Sequence, residues 1–332
     1  MTKQTPFPIN ASKGREFRKS ATRLVLLVLA FASLCLAQAT SGSQEGRTEL
    51  PASNQDAYSG VTFQGGTELV VLHTTVVDNK DNVVTDLTEN EFKVFEDDVP
   101  QQIVRFTRED VPVSLGILVD NSGSMRDKRV RVNTAALDFV KASNSEDEVF
   151  IVNFNDEAFL DTPFTRSQER MQDGLQRIDT RGGTALYEAT SMSLDYLEEE
   201  SKEDKKVLLI ITDGEDNASR GTLEKLVRRL QETDTIIFAV GLLSDEDRRS
   251  AKRAQRAIRH ITRATGGAAY FPESTDDVHA LTQQIAHAIR NQYILMYRPD
   301  ENKQPGFRRV RVALTGKARR HEVRHRPGYF GN

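Results

Sequence analysis

Cysteine is almost missing from this chain of 332 residues; the one that occurs is Cys35. That excludes an internal disulfide and any metal site ligated by several cysteines. Stability must therefore come from an apolar core, and a hydrophobic fraction of 38% is ample for one. Positive charge is not in excess either. The formal net charge is −4, which argues against a nucleic-acid partner that would need a broad basic surface. A phosphate loop is absent, because Gly182-Gly183-Thr184 has neither the lysine nor the spacing of one. No nucleophile elbow and no catalytic cysteine can be placed.

The first 39 residues differ from the rest. Lys13, Arg15, Arg18, Lys19 and Arg23 form a basic segment, an uncharged apolar stretch runs from Leu24 to Ala37, and Ala37 and Ala39 make an A-x-A pattern. This is the grammar of an export signal cleaved after Ala39. The apolar stretch has 14 residues, short of the about 20 that a membrane-crossing helix needs. Leu34 before Cys35 argues against lipidation. Cleavage would remove Cys35 and leave 39 basic against 48 acidic residues, a net charge of −9. The expected destination is outside the cytoplasm: periplasm, cell surface or medium. Residues 40–60, rich in Ser, Gly and Gln, read as a flexible leader.

Residues 61–110 carry a strand pattern. Leu69, Val71, His73 and Thr75 alternate with Val70, Leu72, Thr74 and Val76, up to the polar turn Asp78–Asn82. Shorter strands are expected at Val83–Thr85, Phe92–Glu96 and Gln102–Phe106, with a helical turn near Thr88–Glu91. Over 111–290 the pattern changes. The apolar runs Ser114–Val119, Val149–Phe154, Val207–Ile211 and Thr235–Val240 look like strands covered on both faces. Between them lie helical stripes: Val132, Ala136, Phe139 and Val140; Leu186, Ala189, Met192 and Leu197; Leu223, Leu226, Val227 and Leu230; Val278, Leu281, Ile285 and Ile289. Such alternation predicts an α/β fold, a doubly wound and mostly parallel sheet with helices on both faces. Residues 291–332 return to strands, at Tyr293–Tyr297, Phe307–Leu314 and His321–Arg326. Neither flank makes a stable domain alone, so the expectation is that the two pair into a small β-sandwich with the α/β domain inserted between them.

The chemistry concentrates at Asp120-Asn121-Ser122-Gly123-Ser124, directly after the first strand of the α/β region. Ligands of doubly wound sheets bind where strands end at their carboxyl edge. Thr184, after Gly182-Gly183 at a helix start, and Asp213, after the strand Val207–Ile211, fall on similar edges. Hard divalent cations prefer oxygen ligands and keep several waters. Ser122, Ser124 and Thr184 would supply three neutral hydroxyls, and Asp120 and Asp213 negative charge, directly or by holding waters. Neutral hydroxyls leave an ion electron-poor, and helix starts after Ser124 and at Thr184 would further favour an anion.

The series D-x-S-x-S, a threonine opening a helix, then T-D-G after an apolar strand resembles the von Willebrand factor type A family and its metal-ion-dependent adhesion site. The flanking segments VVDNKDNVVTDLTENEFKVFEDDVPQQIVRF and NQYILMYRPD…GFRRVRVALTG…RPGYF are similar to bacterial VWFA-related proteins of the acidobacterial type. The resemblance covers about residues 60–332. It implies a binding module rather than an enzyme. One divalent cation, Mg²⁺ with Mn²⁺ or Ca²⁺ as alternatives, would be held at Asp120, Ser122, Ser124, Thr184 and Asp213, with the aspartates gripping waters. The partner implied is a protein offering an Asp or Glu carboxylate. The resemblance also implies that ligand capture moves the last helix of the domain, about Ser274–Arg290.

Two rival readings stay open: a metal-free interaction scaffold, and a hydrolase using the ion as Lewis acid. Against the second, His260, His279 and His287 all fall on later helices. His321-Glu322-Val323-Arg324-His325 fits H-E-x-x-H, but that pattern needs a helix. Pro327 and Gly328 follow at once, and in a strand the two histidines would sit about 13 Å apart. Arg248, Arg249, Lys252, Arg253, Arg256, Arg259 and Arg263 stud one expected helix and read as a solvated face. Glu215 and Asp216, beside Asp213, read as a solvated loop. Asn217-Ala218-Ser219 has the form of a glycosylation acceptor, given no weight beside the metal loop of a chain that resembles bacterial proteins.

Overall fold

Periodicity of two builds both flanks and periodicity of 3.6 builds the middle. A computed structural model describes residues 61–64, 67–108, 110–141, 144–176, 180–300 and 305–331. The export signal expected over 1–39 and the leader expected over 40–60 lie outside the described residues.

The first flank contains β1 (Val61–Gln64), β2 (Thr67–Val77), β3 (Phe92–Glu96), β4 (Val99–Gln101) and β5 (Ile103–Thr107). A single 3₁₀ turn, Glu89–Glu91, precedes β3. It is closed by a capping box in which the Thr88 amide donates to Glu91 Oε2 at 2.8 Å. The strand expected at Val83–Thr85 does not form; Val83 makes only an isolated bridge to Val77. The reason is local competition for backbone bonds. The Tyr293 hydroxyl donates to the Val84 carbonyl and accepts from the Leu87 amide, both at 3.0 Å, so the ladder stops there.

The middle contains β6 (Val113–Asp120), α1 (Arg129–Lys141), β7 (Glu148–Phe154), β8 (Ala158–Thr165), α2 (Gln168–Leu175), α3 (Leu186–Glu200), β9 (Lys205–Thr212), α4 (Leu223–Glu232), β10 (Ile236–Gly241), α5 (Arg248–Thr265), β11 (Ala269–Tyr270) and α6 (Val278–Arg290). Its sheet runs β11-β10-β9-β6-β7-β8. All neighbours are parallel except β8, which runs against β7. Every residue of β6 and β7 is buried, as expected of central strands sandwiched by helices. One apolar core lies under α1, α2 and α6, and a second under α3, α4 and α5. Sequence periodicity does not reveal β8 or α2. Pro163 interrupts the alternation in β8, and an edge strand tolerates it; α2 spans only 8 residues, too few to show a period.

The last flank contains β12 (Tyr293–Tyr297), β13 (Gly306–Leu314), β14 (Glu322–Arg324) and β15 (Gly328–Gly331). The flanks interleave. One sheet runs β1-β2-β12-β5 with β14 also on β2, the other β15-β13-β3-β4. Their facing sides share one core of Val70, Leu72, Phe92, Val94, Tyr293, Leu295, Val310 and Val312, among others. Each half supplies the strands the other lacks, so the sandwich closes around the α/β insertion. Inside it, Glu96 Oε2 accepts from the Tyr297 hydroxyl at 2.7 Å and the Tyr329 hydroxyl at 2.8 Å.

The H-E-x-x-H segment is spent on this sandwich. Glu322–Arg324 is strand, and His325 Nε2 accepts from the Val312 amide at 3.1 Å. Several bonds join sandwich to insertion. Gln292 donates to Thr75 Oγ1 at 3.1 Å, Gln284 to the Asp81 carbonyl at 2.8 Å, and Arg326 to the Gln231 carbonyl at 3.4 Å. At the end of α5, Gly266 has φ +81 and packs so closely that a β-carbon there would stand 2.4 Å from the Arg326 amide nitrogen. Only glycine fits both the left-handed backbone and the gap.

Candidate cation site

Adjacent parallel strands β6 and β9 end together, and this brings Asp120 and Asp213 to one rim of the sheet. After Asp120 the chain turns sharply. Asp120 Oδ1 accepts from the Ser122 amide at 2.8 Å, and its Oδ2 accepts from the Thr212 hydroxyl at 2.6 Å. Both carboxylate oxygens are thus committed, one to its own loop and one to the neighbouring strand. Ser122 then starts a 3₁₀ turn, Gly123–Met125, which points both serine hydroxyls the same way, 3.2 Å apart. Ser124 Oγ donates to Asp213 Oδ1 at 2.8 Å.

The third loop arrives by backbone contacts. The Gly123 amide donates to the Gly182 carbonyl at 3.2 Å, and the Arg181 amide to the Asn121 carbonyl at 3.0 Å. Gly182 sits at φ +73, the left-handed region where glycine is favoured. Thr184 follows, its amide donating to Asn217 Oδ1 at 2.9 Å. A β-carbon on Gly214 would stand 3.6 Å from Thr184 Oγ1, so that hydroxyl lies against the residue after Asp213. The structure therefore joins Asp120, Ser122, Ser124 and Asp213 in one hydrogen-bonded chain and sets Thr184 beside it. Asp120, Ser122, Thr184 and Asp213 are buried, while Gly123 and Ser124 are exposed. The cluster opens to solvent on the Ser124 side.

Two buried carboxylates and two buried cations, Lys128 and Arg129, set the electrostatics of the cluster. Burial pushes the Asp120 carboxyl up to about 6; hydrogen bonds from Thr212 and Ser122 oppose the rise and the Asp213 charge adds to it. Beneath the loop Arg129 is fully buried and donates to Asn153 Oδ1. Burial lowers its guanidinium to about 10, against the pull of Asp120 and Asp161. The two carboxylates and three hydroxyls are the oxygen donors a hard divalent cation requires, so these five side chains fit such an ion, with the Lys128 ammonium also seated on Asp213. Among the described residues no three His, Cys, Asp or Glu side chains gather where they could hold a metal, at this cluster or elsewhere.

Several participants were invisible to sequence reasoning. Thr212 enters the sequence reading only as the first letter of T-D-G, with no role of its own, yet it holds Asp120. Lys128 reads as one more surface charge, yet its Nζ lies 2.7 Å from Asp213 Oδ2. Asn217 and Asp216 are no idle loop: Asn217 holds Thr184, and Asp216 Oδ2 accepts from the Tyr187 amide at 2.8 Å, capping α3. Glu215 pairs with Arg253 of α5 at 2.8 Å. The expected helix starts also shift. Thr184 precedes the Ala185 cap of α3. α1 begins only at Arg129, so no α-helical amino end opens at Ser124.

Residues 115–215 match the von Willebrand factor type A domain. Over those residues the central α/β unit is similar to a von Willebrand factor type A (VWA) domain. The match runs from within β6 to just past Asp213, and so contains all five candidate residues. Among solved structures, a von Willebrand factor type A protein from Catenulispora acidiphila is 13% identical over 76% of this chain and 71% of its own, with a TM-score of 0.49. The vWF domain of the pilus tip protein Mfa5 from Porphyromonas gingivalis is 10% identical, with 54% of this chain and 95% of that one covered and a TM-score of 0.45. The mussel byssus proximal thread matrix protein 1, solved with a zinc-occupied MIDAS motif, is 15% identical at a TM-score of 0.45, with 60% of this chain and 50% of that one covered. No curated protein matches this chain.

Proposed function

We propose that this chain is an exported protein-binding module that captures a partner's Asp or Glu carboxylate at a divalent cation held by Asp120, Ser122, Ser124, Thr184 and Asp213. The VWA fold supports a protein-interaction module, and the basic, apolar and A-x-A order of residues 1–39 supports export. Among the described residues no helix is long and apolar enough to cross a membrane.

One observation carries the reading: three loops distant in sequence deliver carboxylates and hydroxyls to one cluster whose exposed member is Ser124. The chain's own groups do the positioning. Thr212 and the Ser122 amide hold Asp120, the Gly123–Gly182 bond holds the serine loop to the threonine loop, and Asn217 holds Thr184. A bound Mg²⁺ or Mn²⁺ would supply an electron-poor centre for an incoming carboxylate. The proposal is binding, not catalysis.

Calorimetric titration with Mn²⁺ tests it. Wild type should bind one ion per chain, and Ser122→Ala/Ser124→Ala should bind at least about tenfold more weakly while circular dichroism stays native. Equal affinity in the two proteins refutes the site. A second reading is favoured by the Lys128–Asp213 contact, because an ammonium already neutralises one carboxylate: a scaffold that works without metal. Capture of envelope proteins that persists unchanged in EDTA would select that reading over the first.

A further inference from the structure

Lys128 occupies a place that no surface lysine needs. Its side chain is 10% exposed and that of Asp213 0%, with Nζ 2.7 Å from Oδ2. The lysine is set by the turn that follows the serines. Its amide donates to the Met125 carbonyl at 3.0 Å, its carbonyl accepts from the Val132 amide at 3.1 Å as α1 begins, and Met125 is fully buried. The backbone is therefore fixed while the stem, a flexible four-carbon chain, delivers the charge. Asp213 Oδ1 is taken by Ser124 and Oδ2 by Lys128. A divalent cation approaching this carboxylate meets a positive charge already seated on it.

We infer that Lys128 is a tethered counter-ion of the cation site: its ammonium neutralises Asp213 when no divalent ion is bound, and it must give way when one binds. This rests on the cation reading of the site and adds its regulation. Two consequences follow. First, the empty site is stable on its own, since a buried carboxylate left without any cation is strongly destabilising. Second, metal affinity is held down, because the ion must displace a like charge already seated on Asp213. Lys128 thus makes the site load weakly and reversibly, and the carboxylate of a partner, by restoring negative charge, favours loading.

The test uses the full chain with Mn²⁺ as the probe. Lys128→Met should bind Mn²⁺ about tenfold or more tightly than wild type by calorimetry. In EDTA it should melt several degrees lower than wild type, and Mn²⁺ should raise its melting temperature more than that of wild type. Lys128→Arg, which keeps the charge, should bind no more tightly than wild type. Should Lys128→Met not fold, Lys128→Gln retains a donor to Asp213 without the charge and carries the same comparison. Unchanged or weaker Mn²⁺ affinity in the uncharged variants, with wild type binding normally, overturns the counter-ion role and leaves the cation site standing. If neither wild type nor uncharged variant binds Mn²⁺, both fall and Lys128 is a structural partner of Asp213 only.

Discussion

Replacing Lys205 by methionine should remove a pH dependence from the stability of this protein. Lys205 begins β9, at the end of the sheet opposite Asp213, and its residue is 3% exposed. Its Nζ donates to the Ile289 carbonyl at 2.5 Å, at the close of α6. Burial lowers its ammonium from 10.5 to about 7, with Asp110 opposing the shift. At pH 7 to 10.5 the unfolded chain then carries a proton on Lys205 that the folded chain has released. Stability must rise with pH across that window, by up to about 1.4 kcal/mol per pH unit, and the total cannot exceed about 5 kcal/mol. Below pH 7 the group is charged in both states and contributes no slope. The buried His73, lowered to about 3, exerts its effect at more acid pH and leaves the window clear. Tyrosines raised by burial, such as Tyr187 at about 12, confine the useful range to below about pH 9.5, since unfolded tyrosine titrates near 10.

The assay is urea unfolding followed by far-ultraviolet circular dichroism at pH 7, 8 and 9, suited to a chain that has no tryptophan. Wild type should gain stability at each step and Lys205→Met should be flatter. Its stability at pH 7 should match or exceed that of wild type, less about 1 kcal/mol for the lost bond to Ile289. Parallel pH profiles for the two proteins would refute the claim that Lys205 is held neutral by burial.

Three further outcomes are expected. Glu96→Ala leaves the Tyr297 and Tyr329 hydroxyls without their acceptor inside the sandwich, and should cost about 2–4 kcal/mol in chemical denaturation. Gly266→Ala forces a side chain into a left-handed backbone and against the backbone of His325 and Arg326, so its melting temperature should fall by an amount matching about 2 kcal/mol or more. Exposed Lys141→Ala, whose partner Asp138 is one turn away, should change stability by less than about 0.5 kcal/mol in the same assay.

Much of the architecture was readable from local patterns, because burial imposes periodicity on any element that packs. The strands Phe92–Glu96 and Tyr293–Tyr297 end where alternation and flanking turn residues place them. The helices α4 and α6 follow their apolar stripes. Elements that pack by unusual means were not readable: β8 accommodates a proline because it lies at the sheet edge, and Val83–Thr85 yields its backbone to a tyrosine hydroxyl from 209 positions away. The five candidate residues were legible because each falls at a strand end or before a helix, where a doubly wound sheet gathers ligands. Their supporting residues were not. Thr212 lies in the T-D-G motif without any sign that it holds Asp120, and nothing about Lys128 or Asn217 in the chain distinguishes them from surface and loop.

The sequence by itself determined most of the strands and helices, their order, and the three loops that carry oxygen-bearing side chains. Those follow from local periodicity and turn chemistry. Only the tertiary structure decided that the flanks interleave into one sandwich, that β6 lies beside β9 so that Asp120 and Asp213 converge, and that Lys128 reaches Asp213. The physical reason is that strand order, register and the direction of a buried side chain are settled by packing between segments remote from one another. A local pattern carries no record of its distant neighbours.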